Sequence, residues 1–163
     1  MLNFRNANLE DLDRIVQIEA ACFPEAEAAS QQSIKERINV FPDGFLLIEL
    51  DNNIIGFING AATNRETIID PMFESMEAHH INSGKNLAIY GVDIHPDYQG
   101  KGYSRPMMDT YIRNAKNSLR EKIILTCKAH LVNYYSSFGY QSKGLSQSNH
   151  GGAEWFDMVL ELD

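Results

Sequence analysis

Residues 99–105 read Gln-Gly-Lys-Gly-Tyr-Ser-Arg. They stand between an apolar run at 87–94 and a stretch at 104–117 with helical spacing. A helix that starts on such a turn aims unpaired N–H groups and the positive end of its dipole at one point. Gly100 and Gly102 remove side chains that would block an approach, and Lys101 and Arg105 bring positive charge. The chemistry on offer is the binding of an anion, a phosphate or pyrophosphate above all. The alternative is a plain tight turn between strand and helix. A nucleotide P-loop and a G-x-G-x-x-G dinucleotide fingerprint are both absent. Pro106 falls in the first helical turn, where a missing N–H costs little.

A second reactive stretch is "NYYSSFGY" at 133–140, with Tyr134 and Tyr135 adjacent. A phenol has a pKa near ~10, so at neutral pH it can donate a proton. The alternative is a pair of aromatics packing on a short helix. Cys22 and Cys127 are too few for a disulfide framework and fit a reducing compartment. Neither has metal-ligand spacing, no paired histidine makes a thiol nucleophile, and no metal is expected. His79, His80, His95 and His150 read as surface or structural groups, while His130, at the start of the tyrosine helix, is a site candidate.

The elements that must hold these residues follow from periodicity and breakers. A strand is expected at 3–7, then a helix from an Asn8 cap with Leu9, Leu12, Ile15 and Val16 on one stripe, stopped by Pro24. A second helix is expected over 25–41, with Ser30 as an internal cap. Strands at 44–50 and 54–63 flank the turn Asp51-Asn52-Asn53 and form an antiparallel hairpin. The stretch 64–86 is polar, with a short helix at 71–80. A central strand at 87–94, a helix at 104–117 and a strand at 122–129 make one crossover. A short helix ended by Gly139 and two closing strands follow, with Trp155 and Phe156 on opposite faces of the last. The order describes one domain, 1–163, of mixed α and β on one sheet.

The chain has 163 residues and a formal net charge of -8, with a pI near 5.1. That balance argues against nucleic acid as a partner, because phosphates need a basic face. An acidic surface either concentrates cations or only keeps the protein in solution. The segment 1–15 lacks a signal-peptide pattern and no apolar run is long enough for a bilayer, so the expectation is a cytoplasmic protein without a membrane partner.

The motif Gln99-Gly100-Lys101-Gly102-Tyr103-Ser104 after a central strand, together with the element order, resembles the GNAT superfamily of acetyl-CoA-dependent N-acetyltransferases. The resemblance implies an α+β (mixed α/β) fold: a central, mostly antiparallel twisted sheet with a splayed central strand, flanked by helices. It implies coenzyme A as co-substrate, its pyrophosphate held by Gln99, Gly100, Lys101, Gly102, Tyr103, Ser104 and Arg105. Its pantetheine arm would pair with the backbone of Val92, Asp93 and Ile94, and an N–H near Val92 would polarise the acetyl carbonyl. Ser104 departs from the family's small residue by one hydroxyl. "NYYSSFGY" matches the family's terminal helix and gives Tyr135 the role of proton donor to the departing thiolate.

"CFPEAEAAS" at 22–30, "CKAHLVNYYSSFGY" at 127–140 and "AEWFDMVLEL" at 153–162 are similar to the serotonin and arylalkylamine N-acetyltransferase branch. That likeness implies an amine pocket of Phe23, Pro24, Thr126, Cys127, Lys128 and Trp155. The vertebrate branch carries H-x-H on the central strand; here Ala88 and Tyr90 occupy those positions. A free amine must still lose its proton, since an ammonium is no nucleophile. Glu27, in the loop where insect-type members keep a glutamate, is the leading base, with Asp93, Tyr90 through a water, and His130 as other candidates. The expected acceptor is the primary amine of a small molecule, arylalkylamine- or polyamine-like. The alternatives are a protein or peptide amine, or a non-catalytic domain that binds acyl-CoA. Monomer and homodimer both remain open.

Overall fold

The computed structural model describes all residues, 1–163. The strands are β1 (Leu2–Asn6), β2 (Phe45–Leu50), β3 (Asn53–Thr63), β4 (Asn86–Ile94), β5 (Lys122–Cys127), β6 (Gln141–Leu145) and β7 (Phe156–Glu161). The helices are α1 (Leu12–Cys22), α2 (Gln31–Val40), α3 (Pro71–Glu74), α4 (Met76–His79), α5 (Ser104–Asn117) and α6 (Val132–Ser136). All seven strands lie in one sheet of order β1-β2-β3-β4-β5-β7-β6. Only β4 and β5 pair in parallel, joined by the α5 crossover. The mixed fold and its mostly antiparallel sheet are as the sequence led us to expect. No helix is long and apolar enough to cross a membrane.

Alternation along the strands divides the core between two faces. Phe45, Leu47 and Phe57 pack with Ile15 and Ile18 of α1 and Ile34 and Ile38 of α2. Leu46 and Ile48 point the other way and pack with Met107, Met108 and Tyr111 of α5. The β2–β3 hairpin turns on Asp51 and Asn52, both at positive φ, a conformation that short polar side chains tolerate.

The second helix is shorter than expected. It begins at Gln31, and Ser30 is its N-cap, accepting from the Ser33 N–H. The alanines and glutamates at 25–29 favour a helix locally, but here the Glu27 and Ala28 N–H groups both donate to Pro24 O in a turn. Glu27 therefore sits in the α1–α2 loop. Trp155 lies just ahead of β7.

The feature that makes a site is where β4 and β5 part. Their pairing covers only Asn86–Ala88 against Lys122–Ile124. Beyond it β5 continues against β7 as far as Cys127, while β4 stays on β3. A register shift between Asn59 and Gly60 of β3 bulges β4 at Tyr90, and bulges re-aim a strand.

Candidate active site

The parting of β4 and β5 exposes one edge of β4. His95 N–H donates to Ile55 O on β3 at 2.8 Å. Alternation then turns the backbone groups of Val92 and Ile94 away from β3, into the opening. Asp93 is the exception among the three residues expected to offer backbone there. Its carbonyl faces β3, so close that a Cβ on Gly56 would meet it at 2.3 Å. Asp93 contributes its side chain instead, fully buried on the α1 side. Ile94 O accepts from Gln99 Nε2 at 2.7 Å and from Cys22 Sγ at 3.1 Å, so Gln99 straps the glycine turn to the strand.

Two cavities meet at this opening. One, of about 410 Å³, runs along the glycine turn past Ile94, Gln99, Gly100, Gly102, Tyr103 and Ser104. Gly100 and Gly102 have φ of 74° and 83°, and a Cβ on either would meet nothing within 4 Å. The turn is open toward the groove, and α5 begins behind it with no side chain capping its N–H groups. Tyr134 Oη contacts Ser104 Oγ across the groove. Lys101 and Arg105 lie elsewhere. Lys101 Nζ rests 5.9 Å from the Tyr98 ring centroid. Arg105 lies over Phe138 at 4.1 Å and donates to Ser137 Oγ. Pro24 and His130 flank the groove.

The other cavity, of about 460 Å³, extends toward α1, α2 and α3. Thr126 and Cys127 form part of its wall, as do Phe73 and Tyr90. Its charged lining is Glu19, Glu27, Asp70 and Glu74 against Arg37. Arg37 is 4% exposed, donates to Asn59 Oδ1 and Phe73 O, and stacks on Tyr90 at 5.0 Å. Burial pushes the Tyr90 phenol up to about 12 and the Cys127 thiol up to about 11, so both are neutral at pH 7.

Phe23, Glu27, Val92, Leu131, Tyr135 and Trp155 line both cavities and form their junction. Tyr135 is buried, and that burial pushes its phenol well above the ordinary tyrosine value. It carries its proton at any physiological pH. Glu27 Oε2 pairs with Lys128 Nζ at 2.9 Å, while Oε1 is buried without a partner in the protein. Lys128 also lies 5.7 Å from the Trp155 ring centroid. Trp155 Nε1 donates to His150 O, and His150 Nε2 donates to Glu27 O at 2.9 Å. The loop between β6 and β7, with Ser148, Asn149 and His150, thus closes one side of the cavity. Ser148 Oγ and the Asn149 N–H both donate to Asp70 and hold it there.

Sequence reasoning did not single out Glu19, Arg37, Phe73 or His150 as cavity residues. Glu19 occupies a polar position on α1, and only the packing of α1 on β4 buries it.

The acetyltransferase (GNAT) family model matches residues 12–140. Among solved structures, the loading GNATL domain of CurA from Lyngbya majuscula superposes with a TM-score of 0.85 at 17% identity, covering 99% of this chain and 98% of that one. The GphF GNAT-like decarboxylase in complex with isobutyryl-CoA superposes with a TM-score of 0.83 at 15% identity, covering 99% of this chain and all of that one. At such identities the likeness is one of fold. YhcX of Bacillus subtilis (strain 168), named "Probable hydrolase", is 27% identical over 103 residues. That match takes in 58% of this chain and 20% of YhcX, so the chain spans about a fifth of that relative.

Proposed function

The chain belongs to the GNAT acetyltransferase family, and from that premise we propose that it transfers the acetyl group of acetyl-CoA to the primary amine of a small molecule, arylalkylamine- or polyamine-like. The observation that carries the reading is the junction. A groove suited to a phosphorylated carrier and a cavity lined by carboxylates and aromatics meet at a protonated tyrosine.

Coenzyme A suits the groove on this chain's own geometry. The open glycine turn and the uncapped start of α5 offer N–H groups to a pyrophosphate. The edge of β4 offers the Val92 backbone and the Ile94 N–H as partners to the pantetheine amides, while Ile94 O is already taken by Gln99 and Cys22. The acetyl thioester supplies an activated acyl carbon and a thiolate leaving group.

Val92 N–H lies at the junction and is placed to take the charge that develops on the acetyl oxygen. As the new N–C bond forms and the C–S bond breaks, Tyr135 gives its proton to the sulfur, and the proton that the new amide nitrogen sheds restores the phenol. Glu27, the base the sequence reading favours, draws the incoming ammonium to the junction, where its Oε1 has no other partner. Its other oxygen, Oε2, is held by Lys128 Nζ at 2.9 Å. Cys127, a neutral thiol, stays out of the chemistry.

A cavity of about 460 Å³ suits a small amine lying against Phe23, Phe73 and Trp155. Four carboxylates against one arginine favour a cation over an anion. Tyr135→Phe tests the reading. The hydroxyl has no hydrogen-bond partner in the protein, so the fold should be unaffected. Turnover should fall by roughly 10²-fold or more with KM little changed. Unchanged turnover would leave a domain that binds acyl-CoA without using this tyrosine.

A further inference from the structure

Glu19 in the cavity wall stands against a second carboxyl group, Asp93, and the transfer step above uses neither. Asp93 is 0% exposed, and neither of its oxygens has a hydrogen-bond partner in the protein. Its neighbour is Glu19 of α1, itself 6% exposed, whose Oε2 accepts from the Ala29 N–H at 2.8 Å. Both point at Gly91. A Cβ placed on Gly91 would lie 3.3 Å from Asp93 Oδ1, 4.0 Å from Glu19 Oε1 and 3.2 Å from Asn59 Nδ2. The missing side chain leaves a polar gap, and Gly91 and Glu19 both line the amine cavity. Gly91 is also the residue before Val92, whose N–H serves the acetyl carbonyl.

Two adjacent carboxylates buried in one site cannot both ionise cheaply, and a buried carboxylate without donors is costly. A single proton between them relieves both conditions. We infer that Glu19 and Asp93 work as one proton-holding pair: Glu19 binds the substrate ammonium at the Gly91 gap and takes its proton, while Asp93 behind it keeps the pair's resident proton. This rests on the amine acetyltransferase reading above. In the transfer the ammonium becomes a neutral amine and the Glu19 carboxylate becomes a carboxylic acid. The extra proton leaves to water in the cavity after each turnover.

The surroundings fit that assignment. Burial first, then the neighbouring Glu19 charge, push Asp93 well above the ordinary carboxylate range, with Arg37 of α2 pulling it back. Cys22 of α1 and Tyr135 of α6 also face the pair. The phenol and the thiol are neutral at pH 7, so Arg37 is the fixed charge beside it. The pair's net negative charge is then near one, which suits a single ammonium. Glu27, by contrast, is already paired to Lys128.

The test compares Glu19→Gln, Glu19→Asp, Asp93→Asn and Glu27→Gln after thermal unfolding has identified the folded variants. Rates with acetyl-CoA are measured against pH for tryptamine, phenethylamine and spermidine. Glu19→Gln should lose roughly 10²-fold or more in kcat and its acidic limb. Glu19→Asp should recover part of both, and Glu27→Gln should mainly raise KM. Independently of turnover, the carboxyl region of the infrared spectrum of ligand-free protein should show a buried protonated acid at neutral pH that vanishes in Asp93→Asn. The inference is overturned if Glu27→Gln takes the loss in kcat while Glu19→Gln behaves as wild type, or if no protonated acid is seen. A wild type that acetylates none of the three amines overturns the parent reading and the base role with it. The infrared band still decides separately whether the pair holds its proton.

Discussion

Gly102→Ala separates the two jobs of the glycine turn. Gly102 lies at φ 83°, and a Cβ there meets nothing within 4 Å. Alanine therefore clashes with no protein atom. It carries the cost of a left-handed backbone, about 1–2 kcal/mol for an L residue. For a domain of this size that corresponds to roughly 2–8 °C in Tm. Its methyl would also stand where the groove must admit a pyrophosphate. Losing one charge-assisted hydrogen bond, about 1.5–3 kcal/mol, weakens binding roughly 10- to 150-fold. Gly144 supplies the control. It has φ 91°, equally open surroundings, and lines neither cavity. The assay is intrinsic fluorescence, because Trp155 is the chain's single tryptophan and lies at the junction. Titration with coenzyme A should give a Kd raised by at least tenfold in Gly102→Ala and unchanged in Gly144→Ala, with similar Tm losses in both. Equal affinities in the two variants would refute the cradle.

Asp93 also predicts a pH dependence of stability. Its raised pKa means that the folded state holds a proton the unfolded chain has released. That stabilisation is complete below the ordinary carboxylate pKa and is lost as pH rises toward the folded value. Unfolding free energy should fall over that window by up to about 1.4 kcal/mol per pH unit, read as a falling Tm, and Asp93→Asn should flatten the curve; a parallel curve would show Asp93 ionised throughout. Cys127→Ala should keep near-normal turnover, since burial holds the thiol neutral, and a collapse of kcat with intact folding would expose a covalent role. Trp155→Phe removes the hydrogen bond to His150 O and weakens the packing on Lys128. It should raise KM for the amine more than for acetyl-CoA in steady-state kinetics.

The strand–turn–helix at 86–117 was legible because each of its signals is local. The apolar run, the two glycines and the helical spacing need no distant partner. The hairpin at 45–63 was legible for the same reason. The charges of Lys101 and Arg105 were visible, yet their directions were not, since Phe138 and Ser137 lie more than thirty residues away and claim Arg105. The run at 25–29 has helix-forming composition, and only the Pro24 turn and the Ser30 cap reveal the loop that carries Glu27 to the junction. Glu19 and Asp93 are far apart in sequence and were invisible as a pair. Their meeting depends on α1 crossing β4 at a glycine, a tertiary fact that no spacing encodes.

The most direct measurement is mass-spectrometric detection of acetylated product from acetyl-CoA and a panel of tryptamine, phenethylamine, spermine, spermidine and a peptide with a free N-terminus. The account predicts acetylation of one class of small amine, with thiol release matching product and both falling sharply in Tyr135→Phe. Acetyl-CoA binding without any acetylated small amine would contradict it, and acetylation of the peptide alone would assign the cavity to a protein substrate.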